Sequence, residues 1–121
     1  MPPYVLAALE DHIAPWQSCF KATRLYSGKR TCFALDQWGH IAGVVNTPDA
    51  GQYGFRTGEL KAGESAKELL SGAAQLEGSR WPDWQAWQSR RAGKKIAACE
   101  PGAGKFEIFE DASGSYVKVR T

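Results

Sequence analysis

Two short runs rich in β-forming residues, Tyr4 to Leu9 and Thr31 to Leu35, flank a stretch whose apolar residues recur at helical spacing, and this alternation constrains the fold most. Pro15 suits a first helical turn, Trp16, Cys19, Phe20 and Thr23 make one face, and Gly28 supplies a stop. Strand, helix and strand in that order predict a βαβ unit, a parallel pair joined by a right-handed crossover. Both strands then end at the same edge of the sheet, where open α/β sheets place their ligands.

The residues just past each run are chemically suggestive. Glu10-Asp11-His12-Ile13-Ala14-Pro15-Trp16 continues the first and Gly39-His40-Ile41-Ala42-Gly43 lies just beyond the second, with His40 29 positions after Asp11. A carboxylate can fix the tautomer of an imidazole and stabilise its protonated form, while the imidazole moves protons. An acid after one strand and a histidine after the next is also the order in which α/β hydrolase-type enzymes present the last two members of a nucleophile, acid and base set. Asp11 and His40 are therefore the candidate catalytic residues. The structural alternative for Asp11 is a cap on the following helix, and His12 is read as a local hydrogen-bonding residue of the turn.

The expected nucleophile is missing. A Gly-x-Ser-x-Gly or Gly-x-Cys-x-Gly elbow belongs ahead of the acid, and none of the ten residues before Asp11 supplies one. Cys19 falls in the predicted helix, Cys32 in a strand and Cys99 in the tail, so all three read as buried or incidental thiols.

Beyond His40, residues 44–63 carry Gly51, Gly54, Gly58 and Gly63 and read as one long loop. Ser65-Ala66-Lys67-Glu68 has capping-box spacing, and Ala66, Leu69, Leu70, Ala73 and Ala74 predict one face of a helix ending near Gly78. A second helix is expected from Trp81-Pro82-Asp83 to near Gly93, with Trp81, Trp84 and Trp87 packed against the sheet. From Lys94 onward the chain is polar and irregular, with Phe106 to Phe109 and Tyr116 to Val119 as two short β-like pieces. The organisation expected is a folded part over 1–93 and a tail over 94–121 that packs on it.

Composition excludes several classes. A net charge of +2 in 121 residues, with a basic cluster only at Arg90, Arg91, Lys94 and Lys95, gives no argument for nucleic acid. The Tyr4 to Leu9 run is far short of the roughly 20 residues that span a bilayer, and Met1-Pro2-Pro3 lacks a charged leader, so no membrane span and a cytoplasmic location are expected. Three cysteines without C-x-x-C spacing and two histidines predict free thiols, no metal and no cofactor.

Taken in order, Pro3-Tyr4-Val5-Leu6-Ala7, Glu10 to Trp16, Gly39-His40-Ile41-Ala42-Gly43-Val44-Val45-Asn46, and Gly78-Ser79-Arg80-Trp81-Pro82-Asp83-Trp84 closely resemble the C-terminal part of class I poly(3-hydroxyalkanoate) synthases. Gly114-Ser115-Tyr116-Val117-Lys118 resembles the end of that family too. The resemblance implies the C-terminal βαβ portion of an α/β hydrolase-like fold, followed by two helices and an irregular tail. It implies an acyltransferase that polymerises (R)-3-hydroxyacyl-coenzyme A into polyester with release of coenzyme A. An acyl-cysteine intermediate would form on an elbow, with His40 as general base and Asp11 orienting it or helping activate the 3-hydroxyl. The partners implied are the coenzyme A thioester, the polyester chain, the rest of a synthase and polyester granules.

Arg80 stands where the family usually has a further tryptophan, and Gln37-Trp38 where a smaller residue is usual. Without the cysteine elbow the chain is expected to be inactive alone. The alternatives are a fragment that completes a split synthase in trans, and a non-catalytic remnant that associates with synthase or granules. A parallel strand pair with uncovered edges also predicts an isolated chain that is marginally folded or oligomeric.

Overall fold

The computed structural model describes residues 2–26 and 30–120; the predicted stop at Gly28 lies outside them. The chain divides into two compact units, Met1–Arg91 and Ala92–Thr121. The first unit is a mixed α/β structure with the element order β1 (Tyr4–Ala8), α1 (Trp16–Ala22), β2 (Cys32–Asp36), β3 (Phe55–Glu59), α2 (Ala66–Gly72), β4 (Ala74–Leu76) and α3 (Trp81–Ser89). A short 3₁₀ turn, Thr23–Leu25, extends α1.

β1 and β2 pair in parallel, residue for residue, from Tyr4 opposite Cys32 to Ala8 opposite Asp36. The βαβ reading of the first part of the chain is thus the observed pairing. The sheet continues in the order β1-β2-β3-β4, with β3 antiparallel to β2 and β4 antiparallel to β3.

Side chains alternate across these strands, so one face collects Ala7, Phe33 and Leu35 under Trp16 and Phe20 of α1 and Leu69 of α2. Phe33 is 1% exposed and takes edge-on contacts from Trp16 and Phe20, with ring centroids at 6.5 and 6.1 Å. Burial of one such ring contributes about 1.5–3 kcal/mol. The opposite face carries Tyr4 and Asp36, and α3 is joined to it through Tyr4 Oη donating to Asp83 Oδ2 at 2.8 Å and an edge-on contact of Tyr4 with Trp87. Burial and donation to the Asp83 carboxylate both raise the Tyr4 pKa, so its hydroxyl stays a donor.

Four sequence expectations need correction. The long loop over 44–63 contains β3. Its residues are poor in strand formers, and what holds them extended is pairing with the inner edge of β2, a non-local term invisible in a window of sequence. The helix expected to reach Gly78 stops at Gly72, because Ala73 is extended (ψ 137°) and Ala74–Leu76 pair with β3 against the helical propensity of the alanines. Its start is as expected: Ser65 Oγ accepts from the Glu68 N–H, and Glu68 closes the capping box.

The third correction concerns α3. Trp81 is 39% and Trp84 42% exposed, so neither is core, whereas Trp87 packs on the sheet as expected, against Tyr4 of β1, with the Arg91 guanidinium 4.2 Å from its ring centroid. In the second unit neither expected β-like piece is a strand. Residues 106–109 are irregular, and Tyr116–Lys118 form a 3₁₀ turn closed by Lys118 N donating to the Ser115 carbonyl.

Candidate functional site

Parallel, in-register pairing makes β1 and β2 end side by side, and the backbone continues to zip beyond them. Leu9 N donates to the Asp36 carbonyl at 2.8 Å, and Glu10 N donates to the Trp38 carbonyl at 3.2 Å. For the second bond Trp38 adopts φ of +80°, a left-handed conformation uncommon for a bulky residue. Its indole, half exposed, rests against Tyr53 with centroids 5.1 Å apart.

From these two turns the side chains of Asp11 and His40 converge. Asp11 Oδ1 accepts from the N–H groups of Ile13 at 2.9 Å and Ala14 at 2.8 Å, and Oδ2 lies 2.8 Å from His40 Nδ1. The Ala14 N–H, followed by His40 and the Ile13 N–H, holds the Asp11 carboxyl down at about 2 from an ordinary 3.8. Asp11 is therefore ionised at neutral pH and can only accept. The proton in the contact belongs to Nδ1, which leaves Nε2 of a neutral His40 with its lone pair available.

The Asp11 side chain is 8% exposed and that of His40 46%, so the acid is enclosed by its own turn while the imidazole is open to a reacting molecule. The helix-capping alternative for Asp11 is not what occurs: the N-cap of α1 is Pro15, without a side-chain cap, and the Asp11 carboxylate ties the turn before it. His12 is exposed.

Glycine has a definite task at the end of the Gly39-His40-Ile41-Ala42-Gly43 motif. A Cβ on Gly43 would collide with the Gln37 carbonyl oxygen and lie 3.0 Å from Asp36 Cβ, so the chain can fold back over the end of β2 only with glycine there.

Beneath that fold-back sits a pair that sequence reasoning did not find. Asp36, 2% exposed, accepts from Arg80 Nε at 3.2 Å, and Arg80 is 7% exposed. Burial raises the Asp36 pKa against the lowering influence of Arg80. The available signal was an aspartate closing an apolar strand and a lone arginine inside a tryptophan-rich motif.

The thiols lie elsewhere. Cys32 opens β2, about 13 Å along the strand from the end that carries His40, and burial pushes its thiol pKa up, which keeps it neutral. Cys19 is on α1 against the core, and Cys99 is exposed in the second unit. Among the described residues, no three His, Cys, Asp or Glu side chains gather as metal ligands, and no helix is long and apolar enough to cross a membrane.

An α/β unit with an ionised acid bonded to an open histidine at adjacent strand ends is the class these observations define. No protein-family model matches the chain. Three curated relatives, each named poly(3-hydroxyalkanoate) polymerase subunit PhaC, are similar to it throughout. That of Rhizobium etli is 46% identical over 121 residues, covering 100% of this chain and 19% of the relative. That of Rhizobium meliloti is 42% identical over 120 residues, covering 99% and 19%. That of Cupriavidus necator is 39% identical over 121 residues, covering 99% and 20%.

The chain is similar over its whole length to the C-terminal part of poly(3-hydroxyalkanoate) polymerases, and it spans about a fifth of the length of the curated relatives it matches.

Proposed function

We propose that this chain supplies the acid and base of a poly(3-hydroxyalkanoate) polymerase active site whose nucleophilic cysteine lies in a part of the polymerase outside these 121 residues. The observation that carries the reading is the 2.8 Å contact between Asp11 Oδ2 and His40 Nδ1 at the ends of two parallel strands.

In this reading Nε2 of His40 takes the proton of the cysteine thiol as the sulfur attacks the thioester carbonyl of a (R)-3-hydroxyacyl-coenzyme A. The tetrahedral adduct collapses, the coenzyme A thiolate leaves with that proton, and the acyl group is held on the cysteine. In the next half-reaction His40 takes the proton of a 3-hydroxyl, whose oxygen attacks the acyl-cysteine; an ester bond forms as the thioester bond breaks, and the departing cysteine sulfur takes that proton back from His40. Asp11 holds the Nδ1–H and balances the positive charge on the ring in both halves.

The fold reading that accompanies it is the end of an α/β hydrolase-like sheet. Chain order, acid before base, supports it. So does the position of β1, a parallel strand at the sheet's edge, where such strands are ordinarily covered by further sheet. Activity at polyester granules in the cytoplasm belongs to the same reading.

The test fuses the 121 residues behind the front four fifths of the Cupriavidus necator polymerase, in place of its own matching segment, and follows coenzyme A release from 3-hydroxybutyryl-coenzyme A. Release that His40→Ala abolishes is the expected result. A folded, granule-bound fusion with no release, or with release indifferent to His40→Ala, overturns the catalytic reading in favour of an interaction role.

A further inference from the structure

The motif Gly78 to Trp84 has no part in the proton transfers above, yet three consecutive residues in it reach back more than thirty positions to one segment. Ser79 Oγ donates to the Asn46 carbonyl at 2.6 Å, Arg80 Nε to Asp36 Oδ2 at 3.2 Å, and Trp81 Nε1 to the Val44 carbonyl at 3.0 Å. Asp36 and Asn46 bracket the segment in which His40 sits.

The two ends of that segment are also held from elsewhere, Trp38 by the N–H of Glu10, Gln37 by the backbone of Gly54 and Asn46 by Tyr53 and Gln52, but its apolar side chains are not buried. Trp38, Ile41 and Val45 are 51, 66 and 57% exposed, so hydrophobic burial does not fix its place. Its residues turn on themselves, with Val45 N donating to the Ile41 carbonyl and Asn46 N to the Gly43 carbonyl, but such local bonds set a shape and not a position. The three ties from the start of α3 add a hold from a separate element, and that of Trp81 reaches Val44, within the turn that follows His40. Two of their groups are buried and oppositely charged, where an ionic hydrogen bond is strong and directional. Ser79 Oγ also accepts from Trp81 N at 3.1 Å, which joins the outer ties to each other. Through Asp83 the same motif holds Tyr4 of β1, the strand that leads to Asp11.

We propose that Ser79, Arg80 and Trp81 form a clamp that fixes the segment Asp36 to Asn46 and so holds His40 against Asp11. All three are positioning residues. Their importance for turnover rests on the reading of His40 as the general base, but their effect on its ring does not.

The experiment reads the His40 tautomer in the 121-residue chain by long-range ¹H–¹⁵N correlation, at alkaline pH where the ring is neutral. The native chain is expected to hold the Nδ1–H form. Arg80→Met, and independently the double variant Ser79→Ala with Trp81→Phe, are expected to shift the ring to the mixture of free imidazole, dominated by Nε2–H, while circular dichroism stays native.

The double variant alters only partly exposed side chains and decides the matter where Arg80→Met fails to fold. If it keeps the Nδ1–H form, the clamp is overturned and the Asp11–His40 pair stands. A native chain without the Nδ1–H form overturns both. In the active fusion the double variant lowers kcat about 10²-fold, the scale of a 1 Å misplacement, with KM within about twofold; a loss confined to KM also overturns the clamp.

Discussion

Two aspartates lie within a few residues of the same sheet edge, and their surroundings give them opposite characters. Asp11 sits in a turn that aims two backbone N–H groups and one imidazole at it, and it stays ionised down to about pH 2. Asp36 lies under the chain with one partner, Arg80, and burial raises its pKa. Among the described residues its Oδ1 meets no donor. The difference is one of donors, not of residue type. Three donors make a carboxylate a stable base-orienting charge at the rim, whereas one donor inside makes a tether that holds only while its partner remains.

The largest expected effect separates them by function. In the active fusion, His40→Ala lowers coenzyme A release by about 10²–10⁴-fold, the usual contribution of a general base, with little change in thermal midpoint. Equal loss of activity and stability would erase the distinction.

Next in size is stability. Arg80→Met leaves the Asp36 charge buried without a partner and costs about 3–5 kcal/mol in denaturant unfolding. Asp11→Asn keeps an acceptor for the two turn N–H groups and moves the midpoint little. A fall of similar size in both would show that the rim carboxylate is structural as well.

Acid sharpens the contrast, because the two shifts have opposite signs. The folded-state pKa of Asp11 is below its ordinary 3.8, so its stabilising contribution is complete above that value and is lost as pH falls towards about 2. That of Asp36 is raised, so its protonation favours the folded state as pH falls through the raised value. Arg80→Met is therefore expected to recover stability on mild acidification from neutral pH, and the native chain to lose the Asp11–His40 contact only near pH 2. Unfolding curves across pH, with the Asp11 carboxyl followed by ¹³C NMR, check both.

The smallest effect is a calibration away from either acid. Ser65→Ala removes the capping box of α2 and costs about 1 kcal/mol, with no effect on the His40 tautomer; a change there would mean that the site responds to any loss of stability.

The meeting of Asp11 and His40 is readable because the first part of the chain obeys local rules. Strand-formers, helical spacing and chain order place Asp11 and His40 at adjacent ends without knowledge of the rest. β3 and β4 escape because Phe55–Glu59 and Ala74–Leu76 are extended only by virtue of partners distant in sequence. The 3.2 Å contact between Asp36 and Arg80 escapes for the same reason, since 44 positions separate two residues that no spacing rule connects. The bulk of Trp38 is plain in the sequence, but its left-handed backbone, found beside the bond from Glu10 N to its carbonyl on the neighbouring turn, is not.

The residue-for-residue pairing of β1 with β2 has a consequence for how such a site can vary. Asp11 lies three positions past Ala8 and His40 four past Asp36, and Ala8 and Asp36 are partners across the ladder. The distance between acid and base is therefore counted from the sheet, and the length of chain that joins the strands does not enter. One residue deleted between Ala8 and Asp11 separates the pair. What binds the pair is the count of positions after each strand, while the crossover is bound by what it packs, Trp16 and Phe20 over Phe33.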